Sequence, residues 1–166
     1  MTDKISKAFQ CHLLVGGYNV IHAWKWLSSK KASGGVDVVI ARLSEVMQVI
    51  HDCEEIRVSL VFDGKGEQIT VERPSELLTF SLLYTPAGMT ADDLIEQMVG
   101  QAKDPGSFLV VTQDNQERLA VEASGGATMS PRELDHWIKR CRVRQTEKVR
   151  KISNKANLEW RNGIEF

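Results

Sequence analysis

Hydrophobic positions recur along the chain in two rhythms. Short apolar runs at residues 12–15, 56–62, 79–84 and 107–111 read as strands, and the second is β-branched enough to be buried on both faces. Val36, Val39, Ile40, Leu43, Val46, Met47 and Ile50 instead fall at steps of three and four, which predicts an amphipathic helix. Residues 20–27 read as a shorter helix, joined to it by a polar connection over 28–35. Thr90 stands at an N-cap position with Asp93 three residues later, ahead of Leu94, Ile95, Met98 and Val99. Thr112-Gln113-Asp114 leads into a helix with Leu119, Ala120 and Ala123 on its apolar face, closed by Gly125-Gly126. A short strand at 127–129 precedes Ser130-Pro131-Arg132-Glu133, a capping box with proline in the first turn, which opens a helix through Leu134, Trp137 and Ile138. The order strand, helix, strand, strand, helix, strand, helix, strand, helix predicts an α/β fold: a mainly parallel central sheet with helices on both faces.

Length and composition narrow this to one domain. At 166 residues, with 42% hydrophobic and 26% charged, the chain suits a single core. No apolar run approaches the roughly 20 residues needed to cross a bilayer, and the first ten residues lack a signal-peptide pattern. A cytoplasmic protein with no membrane partner is expected. Cys11, Cys53 and Cys141 are far apart in sequence, with no zinc-site spacing, so they are expected to be free thiols. Charge is uneven: from 139 to 151 seven basic residues face one acid, Glu147, and the rest of the chain is net negative. A cationic arm on an acidic body suggests a polyanionic partner.

In parallel α/β sheets ligands gather beyond the C-terminal ends of the strands. Here those ends are acidic. Asp63 ends the second strand, Asp114 follows the fourth, and Asp92 and Asp93 open the helix after the third. Each has a plainer reading alone, as a turn, an N-cap or a helix-start residue. Together they would crowd carboxylates at one edge, where repulsion calls for a cation. Hard oxygen donors suit Mg²⁺ or Mn²⁺, and the chemistry favoured is metal-assisted phosphoryl transfer.

The run Leu13-Leu14-Val15-Gly16-Gly17-Tyr18-Asn19-Val20-Ile21 resembles the opening of the NYN domains, especially their YacP-like branch. Val61-Phe62-Asp63, Thr90-Ala91-Asp92-Asp93-Leu94-Ile95-Glu96 and Val111-Thr112-Gln113-Asp114 extend the resemblance, in order and spacing, over about residues 11–145. It implies a PIN-like ribonuclease fold: a tail over 1–10, a nuclease domain over 11–145 and a basic extension over 146–166. It further implies metal-dependent endonucleolytic cleavage of RNA. Asn19, Asp63, Asp92 and Asp114 fall on the family's active-site positions, with the three aspartates as ligands of Mg²⁺ or Mn²⁺. Asp93 stands where the family often has Glu and is carried as an additional ligand.

One departure stands out: the family's first-strand aspartate is Gly16 here. Glycine supplies neither charge nor side-chain oxygen, so metal binding and water activation should be weakened and this chain impaired or inactive. An acidic edge also repels RNA. Lys139, Arg140, Arg142, Arg144, Lys148, Arg150 and Lys151 are therefore expected to hold the phosphate backbone. Trp26 and Trp160 are the candidates for stacking on bases, Trp24 and Trp137 for the core. None of His12, His22, His51 and His136 ends a strand, which disfavours histidine acid–base catalysis. A dinucleotide or P-loop site lacks its glycine pattern. The remaining rival is a non-catalytic RNA-binding or ribosome-associated module on the same fold.

Overall fold

The structure is a computed structural model that describes residues 9–162. The expected tail over 1–10 thus lies outside the described residues except for Phe9 and Gln10. Six strands form one sheet in the order β3-β4-β2-β1-β5-β6. They are β1 (His12–Gly16), β2 (Arg57–Phe62), β3 (Thr70–Glu72), β4 (Phe80–Tyr84), β5 (Phe108–Val111) and β6 (Ala127–Met129). All neighbours run parallel except β3, which pairs antiparallel with β4 at the sheet edge. The helices are α1 (Gly17–Ala23), α2 (Lys25–Glu54), α3 (Ala91–Gln101), α4 (Asn115–Ala123) and α5 (Pro131–Asn162).

Side chains on neighbouring strand positions point to opposite faces, and both faces are covered. Leu13, Val15, Val58, Leu60 and Phe62 enter one core with α1, α2 and α5. Leu14, Val61 and Val110 enter a second core with Leu94, Ile95 and Val99 of α3 and Val121 of α4. The doubly covered α/β sheet expected from the sequence is the observed fold.

Three local expectations change. The helix expected over 20–27 breaks at the extended Trp24, and the connection over 28–35 is helical and belongs to α2, which is broken only at Gly35. There φ is 80°, in the left-handed region that glycine enters without steric cost. In α4 the apolar face is not the expected one: Leu119 is 62% exposed, whereas Glu117 and Val121, one turn apart, are buried. The inward face is Glu117, Ala120 and Val121, at steps of three and four, with Ala123 exposed. The third is β3, which has no counterpart in the expected elements. Its three residues are all exposed, too short and too polar to show an alternation.

The expected boundary at residue 145 falls inside α5, a single helix of 32 residues and about 48 Å at the α-helical rise. Ser130 and Glu133 form the predicted capping box at its start. Leu134, Ile138 and Cys141 are buried against the domain. From Arg142 onward the helix is exposed apart from the half-buried Gln145. No described helix is long and apolar enough to cross a membrane.

Candidate active site

Strand register brings the expected residues to one edge. Gly16 is level with Val61 of β2, and Val15 with Val111 of β5. The residues leaving β1, β2 and β5 therefore emerge side by side at the C-terminal edge of the three central strands. Chain reversal from β1 into α1 is immediate and depends on Gly17, where a Cβ would lie 2.0 Å from Phe62 Cε1. That close approach places Tyr18 and Asn19 directly over the strand ends. Tyr18 packs edge-on against Phe62, as a turn residue would.

Gly16, Tyr18, Asn19, Asp63, Thr90, Ala91 and Asp92 line a cavity of about 160 Å³. Asp63 Oδ1 accepts a hydrogen bond of 2.7 Å from the Ala91 amide, which ties the end of β2 to the start of α3. Across the edge, Asp114 caps α4 by accepting from the Gln116 amide at 2.8 Å. The Asp114 amide donates to the Thr112 hydroxyl at 3.0 Å, and that hydroxyl donates to Glu117 Oε2 at 2.6 Å.

The carboxylates sense one another. Burial lifts the Asp92 carboxyl above the ordinary carboxylate range; a hydrogen bond with Glu117 opposes this, and the charges of Asp114, Asp63 and Asp93 reinforce it. Burial likewise pushes Glu117 up to about 7 despite the Thr112 hydroxyl, with the charge of Asp92 adding to the rise. Glu117 is 2% exposed, and its Oε1 has no hydrogen-bond donor. Two carboxyls this close form a hydrogen bond only when one holds a proton.

Asp63 and Asp92 thus share one cavity, and Asp114 stands beside Asp92 outside its lining. Asn19 also lines the cavity, and a Cβ on Gly16 would lie 3.2 Å from Asn19 Nδ2. Asp93 is placed differently from the expectation. Its carboxylate accepts from the Thr90 amide in the capping box of α3, and it lines a separate cavity with Glu96 and Ser124. The cap geometry of the helix start, which points the third residue back at the N-cap, directs it away from the other acids.

Glu117 is not among the residues expected from the sequence. The signal was there: an N-cap aspartate followed three positions later by an acid, at the first turn of a helix leaving the acidic edge. Among the described residues, Cys53, Glu54 and Cys141 are the only three potential metal-ligand side chains whose ligand atoms lie within 4.8 Å of one another. The acidic edge is therefore an open arrangement, wider than a closed ligand sphere. Oxygen-only donors and mutually repelling carboxylates are the donor chemistry that would suit a hydrated Mg²⁺ or Mn²⁺.

The basic residues lie elsewhere. Because β6 is parallel to its neighbours, α5 starts at the acidic edge and runs back along the sheet. It reaches Glu54, just ahead of β2, where Arg144 forms an ion pair with that carboxylate. Lys139 is paired with Asp135 at 2.8 Å. Arg140, Arg142, Lys148, Arg150 and Lys151 are exposed along the helix, the last three beyond the opposite end of the sheet. Trp24 is buried, its indole donating to the Pro131 carbonyl at 3.0 Å, and Trp137 is half-buried and donates to Glu54. Trp160 is 72% exposed; Trp26 is 38% exposed and stacks on Trp24.

A parallel sheet with acids at the C-terminal edge and a glycine-asparagine turn above them defines a nuclease-type NYN architecture. The chain belongs to the YacP-like NYN domain family, whose model matches residues 13–164. It is 30% identical over 149 residues to "Uncharacterized protein YacP" of Bacillus subtilis (strain 168), spanning 86% of this chain and 83% of that one. The crystal structure of Rae1 (YacP) from Bacillus subtilis superposes with a TM-score of 0.68 at 28% identity, covering 89% of this chain and 84% of that one. A structure of a single-substitution mutant of the same protein gives a TM-score of 0.70 at 28% identity, with 86% and 82% covered.

Proposed function

We propose that the acidic edge is the centre of a metal-dependent endoribonuclease, impaired in this chain by Gly16. The observation that carries this reading is the meeting of Asp63 and Asp92 in one cavity beneath Gly16 and Asn19, with Asp114 and Glu117 acting on Asp92. Asp63, Asp92, Asp114 and Glu117 are the residues that would hold Mg²⁺ or Mn²⁺. A divalent ion bound there would polarise a phosphoryl oxygen and lower the pKa of a bound water.

The chain's own residues supply position. The Ala91 and Gln116 amides each anchor one oxygen of Asp63 and Asp114, so neither carboxylate must be reoriented at the moment of reaction. Thr112 holds Glu117 beside Asp92. Asn19 presents its amide at the mouth of β1, where it can donate to a phosphate oxygen. No side chain serves as nucleophile, since water attacks in line. The exposed cations of α5 supply the phosphate contacts that the acidic edge cannot.

Gly16 favours a second reading, an RNA-binding module without turnover, which could include association with the ribosome. The two separate in one assay: cleavage of labelled single-stranded RNA with Mg²⁺ or Mn²⁺ by the chain, by Gly16→Asp and by Gly16→Asp combined with Asp92→Asn. A Cβ at position 16 needs only a few tenths of an ångström from Asn19, and φ there is −69°, so aspartate fits without backbone strain. The expected result is that Gly16→Asp cuts about tenfold faster or more and that Asp92→Asn returns it to background. A folded, RNA-binding Gly16→Asp that cuts no faster than its parent would leave the module as the function.

A further inference from the structure

At the opposite end of the sheet, where α2 ends and α5 passes, lies a cluster that the acidic edge does not use. The sulfurs of Cys53 and Cys141 and a carboxylate oxygen of Glu54 lie within 4.8 Å of one another. All three cysteines of the chain are free. Cys141 is fully buried and Cys53 half-buried. Glu54 Oε1 accepts from the Trp137 indole at 3.2 Å, from the Cys141 thiol at 3.5 Å and from Arg144. An Arg144 nitrogen also lies 3.4 Å from the Cys141 sulfur. Glu54 and Arg144 line an open cavity of about 590 Å³ with Trp137, Arg140 and Val143.

We propose that Cys53 and Cys141 form a reversible oxidation site, closed into a disulfide by a small-molecule disulfide that enters beside this cavity. The geometry selects thiol chemistry over metal binding, because the Arg144 guanidinium already occupies the carboxylate that a cation would need. Sulfurs of two residues distant in sequence lie within 4.8 Å across the seam of α2 and α5, and closing the bond requires them to approach to about 2.05 Å.

The order of events follows from exposure. Cys53, partly buried where Cys141 is fully buried, attacks the small disulfide as its thiolate, forming a mixed disulfide and releasing one small thiol, which takes up the proton Cys53 gave up. Cys141 then attacks the Cys53 sulfur and releases the second small thiol, which carries away the other proton. The protein loses two protons and two electrons, and the small disulfide takes them up to become two thiols. Burial and the neighbouring Cys53 push the Cys141 thiol up to about 12, so it does not react first. Arg144 beside its sulfur offers a positive charge to the thiolate during the second step.

The experiment is incubation of the full chain with oxidised glutathione, followed by intact mass and peptide mapping. The expected product is a monomer lighter by two hydrogens, with the peptides of Cys53 and Cys141 joined, and restored by dithiothreitol. Because the bond ties α2 to α5 across a long loop, the midpoint of thermal unfolding should rise by about 5 °C. Cys141→Ser should stop at a glutathione adduct on Cys53, and Cys53→Ser should leave Cys141 unmodified while folded. The wild-type peptide map stands without either variant. Separate adducts on Cys53 and Cys141, pairing through Cys11, or linkage only after native circular dichroism is lost would each overturn the proposal.

Discussion

At Gly17 the backbone passes so close to the Phe62 ring that no side chain can be accommodated, and this contact sets the turn carrying Tyr18 and Asn19. Gly17→Ala is therefore expected to cost about 2–3 kcal/mol, because either the ring or the turn must move. Urea unfolding measures the loss, and an unchanged midpoint would show that the turn has slack. His12, at the other end of β1, tests a different balance. Its Nε2 lies 2.8 Å from the Ser59 hydroxyl and its ring stacks on Phe108. Burial, and then the charge of Arg57, lower it from 6.5 to about 4. The folded state therefore binds fewer protons than the unfolded state between those values. Its contribution is fully present above pH 6.5 and is lost as pH falls through about 4. From pH 7 to pH 4 the parent should lose about 2 kcal/mol more stability than His12→Gln, after allowance for the partial exposure of the ring. Equal losses would mean that the imidazole titrates normally.

Elements differ in how much of themselves they write into sequence. The strands β1, β2, β4 and β5 are legible because a strand covered on both faces must be apolar at nearly every position, as Leu13-Leu14-Val15 and Val58 to Phe62 are. Caps are legible too, since Thr90, Asp114 and Ser130 each satisfy amides that no backbone carbonyl can reach. β3 is not, because an exposed edge strand held by its partner's backbone needs no hydrophobic pattern. The 28–35 stretch hides its helix for a related reason: polar residues such as Ser28 and Ser29 return hydroxyl bonds to carbonyls three positions back. At the candidate site, Asp63, Asp92 and Asp114 were visible as residues that directly follow strands or open a helix. Glu117 arrives one helical turn later, and as a charged residue inside a helix it gives no apolar signal of the inward face it occupies. Asp93 shows the converse, an acid at the right place in the chain whose cap bond aims it elsewhere.

Taken whole, the molecule sets the candidate site and the cationic stretch of α5 at different ends of its sheet. The acids of the candidate site lie where the parallel strands end, and the exposed cations of α5 from Arg140 onward lie toward and beyond the end where the strands begin. Under the proposed function this makes the arm's contribution depend on the length of the RNA. Replacing Arg142, Arg150 and Lys151 with glutamine should weaken binding of a long RNA and lower the salt dependence of its affinity by about one unit of slope per lost contact. Binding of an oligonucleotide that reaches only the acidic edge should be unaffected. Filter binding over a range of salt concentrations distinguishes the two, and equal weakening for both lengths would place these cations near the acids.

The bare stretch of α5 past Arg144 also bears on what such a protein can grip. An α-helix holds its reach far better than an unstructured tail of equal composition, and residues 145–162 of this one span roughly 27 Å. Under the proposed function, a rigid outrigger of that span would work as a caliper, favouring RNA whose own shape presents negative charge at a matching separation. Discrimination between targets would then come from their architecture, with no base needing to be read.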